Sequence, residues 1–499
     1  METPAHAAAP PSKLRPWLFR LGAVALALLP FVVAELVCIA AGWGRPVDRD
    51  DPFVGFRSVS PLFVLSGDGE RFEIAPARKK FFADDSFPAH KADKEYRVFC
   101  LGGSTVQGRP YSVPTSFTTW LELGLTAADD SRQWEVVNCG GISYASYRLV
   151  PILEECLQHQ PDLILLCTGH NEFLEDRSYA HIKHTPELLA RPLEFLANRR
   201  VVVLASSLLE PDAPADDRTL LAGDADAMLD YHNGLAAYHR DDAWRDGVIR
   251  HFEFNVRRML ALCREAGVPV ILLNEPSNLA DQPPFKSEPS TLPGSAERER
   301  FDELLARAAD NYRTDLPAAI QSLEAALEID PRYAAAWYQL GKCREALQQH
   351  ETARAAFIRA RDEDVCPLRI LSSMEQILHD IVAEERLQLI DMHALLEQQT
   401  PGRALGDRWL VDHVHPSIEG HQLVANELIT ALARQDIVHP DEGWQTRAEQ
   451  AYAGHLQSIS PAYFVRAETT VGNVRAWSRG QSDGPPAANR FPHRIQDRQ

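Results

Sequence analysis

The sequence lacks a basic surplus and a cysteine pattern, and each absence excludes a class of protein. Lys and Arg number 51 against 70 Asp and Glu, a net charge of −19, so the chain has no basic footprint for nucleic-acid phosphates. The 8 cysteines are scattered without a CxxC pair or a zinc-like spacing, which disfavours a zinc finger or a small disulfide scaffold. The chain of 499 residues, 45% apolar, is long enough for a large core and further modules.

One apolar stretch stands out near the N-terminus, namely Leu21–Trp43, which carries a single charge at Glu35. About 20 such residues span a bilayer. Basic residues precede the stretch and acidic residues follow it, which by the positive-inside rule leaves the N-terminus in the cytoplasm. We therefore predict a single-pass membrane protein whose body is periplasmic or extracellular. Cleavage of the stretch as a signal peptide is the competing interpretation.

Five apolar runs with strand character alternate with helical patterns further along the chain. Such runs indicate a parallel sheet that is covered by helices on both faces, and hence an α/β fold. The runs are Tyr96–Leu101, Trp134–Asn138, Asp162–Cys167, Val268–Asn274 and Leu387–Met392. Polar clusters (GGST, NCGGISYAS, TGHNEF and EPSN) follow the first four. Ligands of such sheets bind beyond the carboxyl ends of the strands, so we expect the chemistry along that edge.

A long insertion between the fourth and fifth runs repeats with a period of 34 residues. Ala319 matches Ala353 and Leu323 matches Phe357 at this spacing, and WYQLG (Trp337–Gly341) stands where a tetratricopeptide repeat carries its Trp, Leu and Gly. The insertion resembles a short tetratricopeptide unit, and an ordinary helical insertion is the alternative. Because a solenoid needs about three units to be stable alone, we expect these helices to pack on the main domain. They would also offer a surface to a protein partner.

The turn after the first run, LGGSTVQGRP, allows three interpretations. Its glycine spacing resembles a phosphate-binding loop, but Arg109 and Pro110 replace the Lys and the Ser or Thr that would contact phosphate and magnesium. The GxSxG elbow of α/β-hydrolases also fails, because Val106 occupies the position of the second glycine. The third interpretation is a nucleophile, Ser104, with the two preceding glycines permitting a tight turn.

A nucleophilic serine needs a base and a group that stabilises an oxyanion. Near the C-terminus, Asp412 and His415 lie three residues apart, a spacing that lets the carboxylate orient the ring. Asn171 follows the third run and could donate its amide to a developing negative charge. Each of these residues alone is explained as well by a cap or a turn. A zinc site built from His170, His413 and His415 is the less favoured alternative, since no HExxH signature occurs.

The segments GGST, NCGGISYAS, GHNE and DHVHP, in this order, resemble the SGNH hydrolase superfamily of GDSL-like lipases and esterases. The resemblance implies a flavodoxin-like three-layer sandwich with a parallel five-stranded sheet. It further implies ester hydrolysis through a serine-bound acyl intermediate, with no metal or cofactor. Ser104 would be the nucleophile, His415 the base and Asp412 its orienting carboxylate.

The same resemblance implies an oxyanion hole and shows two departures from the family. The hole would be formed by Ser104, Ser143 and Asn171, with Gly141 as the alternative to Ser143. The family has a glycine where this chain has Ser143, but it uses the backbone N–H, which every residue except proline provides. The family's aspartate before the nucleophile is replaced here by Gly103.

We therefore predict a serine esterase acting on an ester-bearing small molecule or glycan, such as the O-acetyl groups of extracytoplasmic glycans. An acyltransferase is one alternative. The other is a scaffold with a degenerate esterase fold, which binds a protein of a cell-envelope polysaccharide system through its repeat. The predicted segments are an N-terminus and anchor (1–44), a lead-in without regular structure (45–94), the hydrolase domain in two parts (95–290 and 369–436), the helical insertion (291–368) and a C-terminal helix and tail (437–499).

Overall fold

The computed structural model describes residues 14–44, 54–56, 60–175, 199–209, 219–221, 228 and 234–478. The predicted segment before residue 14, parts of the predicted lead-in and of the first hydrolase part, and the predicted tail after residue 478 lie outside the described residues. The strands are β1 Val54–Phe56, β2 Phe63–Leu65, β3 Arg71–Ile74, β4 Ser86–Pro88, β5 Glu95–Gly102, β6 Gln133–Gly140, β7 Leu163–Cys167, β8 Thr219–Leu221, β9 Val270–Asn274 and β10 Gln388–Asp391.

The α-helices of the described ranges vary in length from 4 residues in α2 to 28 residues in α1. They are α1 Leu14–Ala41, α2 Ser104–Gln107, α3 Phe117–Ala128, α4 Ser146–Cys156, α5 Arg200–Leu209, α6 Asp242–Ala266, α7 Ala296–Asn311, α8 Leu316–Ile329, α9 Ala334–Ala346, α10 His350–Asp362, α11 Ser372–Glu385, α12 Met392–Gln398, α13 Ile418–Arg434, α14 Trp444–Ser458 and α15 Pro461–Ser478. Polar caps fix several ends. For example, the Asp241 side chain accepts a hydrogen bond from the Trp244 N–H at the start of α6, and Gly267 ends that helix with φ 70°.

Five parallel strands form the main sheet, in the order β10-β9-β7-β5-β6. Numbered along the chain among themselves, this is the order 2-1-3-4-5 of flavodoxin-like folds. One face packs against α3, α13 and α14 through a core that includes Trp120 and Leu428. Helices α4, α6 and α11 lie on the opposite face, over buried residues such as Phe99 and Leu166. The predicted α/β fold with a five-stranded parallel sheet is confirmed.

The chain divides into two compact units. The smaller comprises residues 1–55 and 179–220, and its described part includes α1 and α5. Within it, Glu35 accepts hydrogen bonds from the backbone N–H groups of Arg200 and Val201, at 3.0 and 2.9 Å. The single charge of the predicted membrane span therefore caps the first turn of α5. Within the described ranges, no helix combines the length and apolar character needed to cross a bilayer, and the anchor stays a prediction.

The part of the lead-in from residue 60 onwards belongs to the larger unit and is more regular than predicted. Strands β2, β3 and β4 form an antiparallel sheet, whose Phe63 and Phe87 rings pack edge to face at 4.9 Å. The prediction of a segment without regular structure was wrong. Strands of three or four residues are too short for a two-residue alternation to stand out in the sequence, and they are stabilised here by packing on the larger domain.

The helical insertion and the C-terminus complete the larger unit. Helices α7 with α8 and α9 with α10 pack as two successive helical hairpins. As expected, they contact the main domain: the Tyr338 hydroxyl donates to the Ala280 carbonyl oxygen at 3.0 Å. At the C-terminus two helices follow α13, where one was predicted. Of these, α14 packs on α3, with the rings of Trp120 and Tyr452 5.1 Å apart.

Candidate active site

Ser104 lies immediately beyond the carboxyl end of β5, as the first residue of α2. A Cβ atom at Gly102 would lie 2.3 Å from the Cys167 carbonyl oxygen, and one at Gly103 would lie 2.5 Å from Asn171 Nδ2. The approach of the Cys167 backbone therefore requires glycine at position 102, whereas a side chain at position 103 would displace the Asn171 amide. Gly103 has φ −84°, a value that residues other than glycine also adopt. The turn before Ser104 therefore does not need the conformational freedom of glycine at position 103, contrary to expectation.

Three side chains form a continuous line of hydrogen bonds at this edge of the sheet. The Ser104 Oγ and His415 Nε2 atoms are 2.7 Å apart, and His415 Nδ1 lies 2.6 Å from Asp412 Oδ2. Ser104 is partly exposed, whereas Asp412 and His415 are buried. The structure thus brings Ser104 together with two residues that lie about three hundred positions later in the chain.

The Asp412 carboxylate is held by more than the histidine. Its second oxygen, Oδ1, accepts the backbone N–H groups of Val414 and His415, both at 2.9 Å. Burial alone would raise the pKa of Asp412, but the His415 and His413 rings and these hydrogen bonds outweigh it and hold the pKa well below its usual range. Asp412 is therefore ionised at neutral pH and favours the tautomer with the proton on His415 Nδ1. The serine then faces the unprotonated Nε2.

The predicted oxyanion-hole residues lie beside this line. Asn171 Nδ2 donates to the Tyr144 carbonyl oxygen at 3.0 Å, and an amide nitrogen carries a second donor. Ser143, next to Tyr144, has a left-handed φ of 63°. The N–H of Gly141 donates to the Gly102 carbonyl oxygen at 2.9 Å, whereas no acceptor for the Ser143 N–H is found within the described ranges. This favours Ser143 over Gly141 as the donor.

The lead-in holds the turn that carries Ser143, a role that the sequence did not reveal. The carbonyl oxygen of Phe81 accepts the Ile142 N–H and the Gln107 side-chain amide, each at 2.9 Å. The rings of Phe82 and Tyr144 pack edge to face at 4.8 Å. The segment before the first strand of the main sheet therefore supports both α2 and the turn after β6.

The histidines of the alternative metal site are separated by their hydrogen bonds. His170 Nδ1 accepts the N–H of Ile370 at 3.0 Å, and its Nε2 lies 3.1 Å from the Pro276 carbonyl oxygen. Both ring nitrogens of His170 are thus engaged with the backbone. Burial lowers the pKa of His413 to about 4, with a smaller opposing effect from Asp412, so this ring is neutral at pH 7. The geometry favours structural roles for both rings.

A buried carboxyl group behind the site was missed at the sequence level. Glu275 directly follows β9 and is 1% exposed, and its Oε2 accepts the His170 N–H at 2.8 Å. Burial raises its pKa to about 8, and hydrogen bonds from His170, Cys167 and Thr105 lower it only in part. Because Thr105 and His170 adjoin Ser104 and Asn171, this carboxyl group links the two segments. A carboxylate directly after a buried strand was the only signal for it in the sequence.

We predict that Glu275→Gln makes the protein more stable than the parent above pH 8 and equally stable near pH 5. A carboxyl group whose pKa is raised from 4.5 to about 8 on folding stabilises the protein fully below 4.5, and that contribution is lost as the pH rises through 8. The neutral amide of glutamine does not titrate, so the variant does not lose stability as the pH rises. The gap between parent and variant should therefore grow by roughly 2 to 5 kcal/mol from pH 5 to pH 9. Urea denaturation at these two pH values measures it, and parallel pH profiles would contradict the assignment.

Comparisons with known proteins give one family model, for the insertion. A tetratricopeptide repeat model matches residues 299–366, which confirms the tetratricopeptide-like insertion. No curated protein matches the chain. Similar solved structures include the lipase/acylhydrolase from Enterococcus faecalis, at 12% identity and a TM-score of 0.31, covering 70% of this chain and 100% of that one. Another is the acetylxylan esterase Axe2 from Geobacillus stearothermophilus, at 12% identity and a TM-score of 0.30, covering 68% and 95%.

Proposed function

We propose that this chain is a serine esterase, an acyl hydrolase of the SGNH type. The observation that carries the proposal is the hydrogen-bonded line from Ser104 Oγ through His415 to Asp412, with distances of 2.7 and 2.6 Å. A serine hydroxyl becomes a good nucleophile when a base beside it takes its proton and a third group orients that base. The side chains at the carboxyl end of the sheet offer both the base and the orienting group.

In this proposal each group has a distinct role in the reaction. His415 Nε2 removes the Ser104 proton as Oγ attacks the ester carbonyl carbon. The same nitrogen then gives that proton to the departing alcohol, which leaves an acyl group on Ser104. Water, activated by His415, attacks the acyl carbon and releases the acid with Ser104 restored. Asp412 stays ionised throughout and stabilises the imidazolium that forms in each step.

The oxyanion of each tetrahedral intermediate would be bound by the N–H groups of Ser104 and Ser143 and by the Asn171 amide. Hydrogen-bond donors fixed before the reaction stabilise the developing charge without reorganisation. The fixed position of Asn171 comes from its bond to Tyr144 and its contact with Gly103. A serine at position 143 serves as well as a glycine, because the backbone supplies the donor.

Ester hydrolysis and acyl transfer share every step up to the acyl-serine, and they differ only in the acceptor. We propose water as the acceptor and an O-acetylated glycan as the substrate, the latter on the predicted location outside the cytoplasm. The repeat could bind a protein partner only with its outer surface. Its inner side is occupied by the chain itself, where Tyr338 and Lys342 contact the Ala280 carbonyl oxygen.

The purified full-length protein should release 4-nitrophenol from 4-nitrophenyl acetate and react with a fluorophosphonate probe. Such a probe reacts selectively with serines activated by a neighbouring base, so mass spectrometry should locate the adduct on the peptide containing Ser104. Heat-denatured protein is the control and should not be labelled. A folded protein that shows neither turnover nor labelling would contradict the proposal.

A further inference from the structure

Arg109 lies one turn of chain beyond Ser104. Its backbone N–H donates to the Ser104 carbonyl oxygen at 3.0 Å, and Gly108 between them is left-handed with φ 86°. These two features fix the backbone of Arg109 next to the proposed nucleophile. In the sequence, Arg109 serves only to exclude a phosphate-binding loop, and the esterase mechanism gives it no role.

Arg109 is half-buried, and no partner of its guanidinium group lies among the described residues. Within the described part of the chain, no hydrogen bond or ion pair is made by its side chain. Burial lowers the pKa of Arg109, while the nearby Asp412 carboxylate acts in the opposite direction. Asp412 is not a direct partner, because the ion pairs that it makes among the described residues are with His413 and His415.

Such a charge is costly, since a partly desolvated cation without a partner loses hydration and gains no hydrogen bond in return. The chain contains 70 acidic residues that could have supplied a carboxylate. Two fully buried arginines have one, in the pair of Arg97 with Glu95 at 2.6 Å and that of Arg361 with Glu375 at 2.7 Å. A guanidinium group that interacts electrostatically with Asp412 and has no hydrogen-bond partner among the described residues is suited to an anion that arrives with the substrate.

We propose that Arg109 binds a carboxylate on the substrate, so that the preferred ester is an O-acetyl group on a glycan that contains uronic acid. The inference rests on the proposed esterase function and adds a specificity-determining residue to it. A planar carboxylate matches the two parallel N–H donors of a guanidinium group. A neutral ester would leave that group unpaired and should be a poorer substrate.

Two acetylated substrates test the proposal through the rate of acetate release. Acetylated digalacturonate carries carboxylates, whereas acetylated xylobiose is neutral. The parent should have the higher kcat/KM on the uronate. Arg109→Gln should lower kcat/KM on the uronate by about 10- to 100-fold, mainly through KM, and change it on xylobiose by no more than about twofold. Arg109→Lys should restore part of the loss. The matched control is Arg132→Gln, because Arg132 stacks on Tyr96 at the opposite end of β5.

The proposal is overturned if Arg109→Gln lowers kcat/KM equally on both glycans. It is also overturned if the parent shows no preference for the uronate. Calorimetry on Ser104→Ala separates this failure from failure of the esterase proposal, since binding of unesterified digalacturonate requires no catalysis. That binding should be lost when Arg109→Gln is added. If the parent cleaves neither glycan, turnover of 4-nitrophenyl acetate shows whether the esterase proposal has failed as well. Calorimetry then decides the carboxylate site alone, and no binding of digalacturonate would overturn it.

Discussion

Replacing Ser104 with alanine is expected to lower kcat/KM for 4-nitrophenyl acetate by roughly 10⁴- to 10⁶-fold and to abolish fluorophosphonate labelling. The variant retains the Asn171 and Ser143 donors, so a small residual rate above that of the uncatalysed reaction should remain. Its folding should be unaffected, because Ser104 is partly exposed and its hydroxyl is bonded only to His415 among the described residues. Initial rates of ester hydrolysis measure kcat/KM, and thermal melts of parent and variant compare their folding.

A serine near the site provides the control for this experiment. Ser112 lies eight residues further along the same turn, and Ser112→Ala should keep kcat/KM within about twofold of the parent and should still be labelled. If Ser104→Ala hydrolyses the ester at the parental rate, the serine mechanism is wrong. A different nucleophile would then have to be sought at this edge of the sheet.

The sheet could be predicted from the sequence because its strands are buried on both faces. Continuous apolar runs mark such strands directly, and β9, predicted at Val268–Asn274, was found at Val270–Asn274. The polar clusters after these runs could also be placed, since the carboxyl ends of parallel strands share one edge. The pairing of Ser104 with His415 came from the resemblance to a family, because no local pattern links residues so far apart.

What the sequence missed depends on contacts between distant segments. Glu275 was noticed only as part of a polar cluster, because its burial and its bond to His170 are properties of the folded chain. Arg109 served only to exclude a phosphate-binding loop. Its lack of a partner among the described residues is a property of the folded chain. The support of the Ser143 turn by Phe81 likewise required the position of the lead-in.

The tetratricopeptide-like insertion supports the loop that carries Asp412 and His415, through a short segment after β9. On one side of this segment, Lys342 donates to the Ala280 carbonyl oxygen at 3.1 Å. On its other side, Asn278 donates from its side chain to the Asp412 carbonyl oxygen at 2.9 Å. The repeat is thus two residue contacts away from the proposed catalytic aspartate.

Buried charges make this connection sensitive to mutation. Lys342 and Asp281 are 3% and 1% exposed, with Nζ and Oδ1 3.7 Å apart. Arg403 bridges the same cluster, donating to Asp281 at 2.8 Å and to Glu345 at 2.9 Å. Removing one member of a buried charge cluster leaves another charge uncompensated, which costs about 3 to 5 kcal/mol.

We therefore expect Lys342→Met to lower the free energy of unfolding by about 3 kcal/mol and kcat for 4-nitrophenyl acetate by about tenfold. Deletion of residues 291–364 should have the larger effect and abolish both folding and activity, because it also removes Asp364, which binds the backbone of Phe285 and Lys286. Urea denaturation and initial rates of the two purified variants, beside the full-length parent, measure the outcome.

The control for this prediction lies on the same helix. Arg344 carries the same charge two residues further along α9, but it pairs within the repeat, with Glu324 at 2.7 Å. Arg344→Met should therefore cost less than about 1 kcal/mol and leave kcat unchanged. If the two variants behave alike, or if the deletion variant folds and turns over ester at the parental rate, the repeat does not support the catalytic loop. Binding a protein partner would then be the better explanation of its presence.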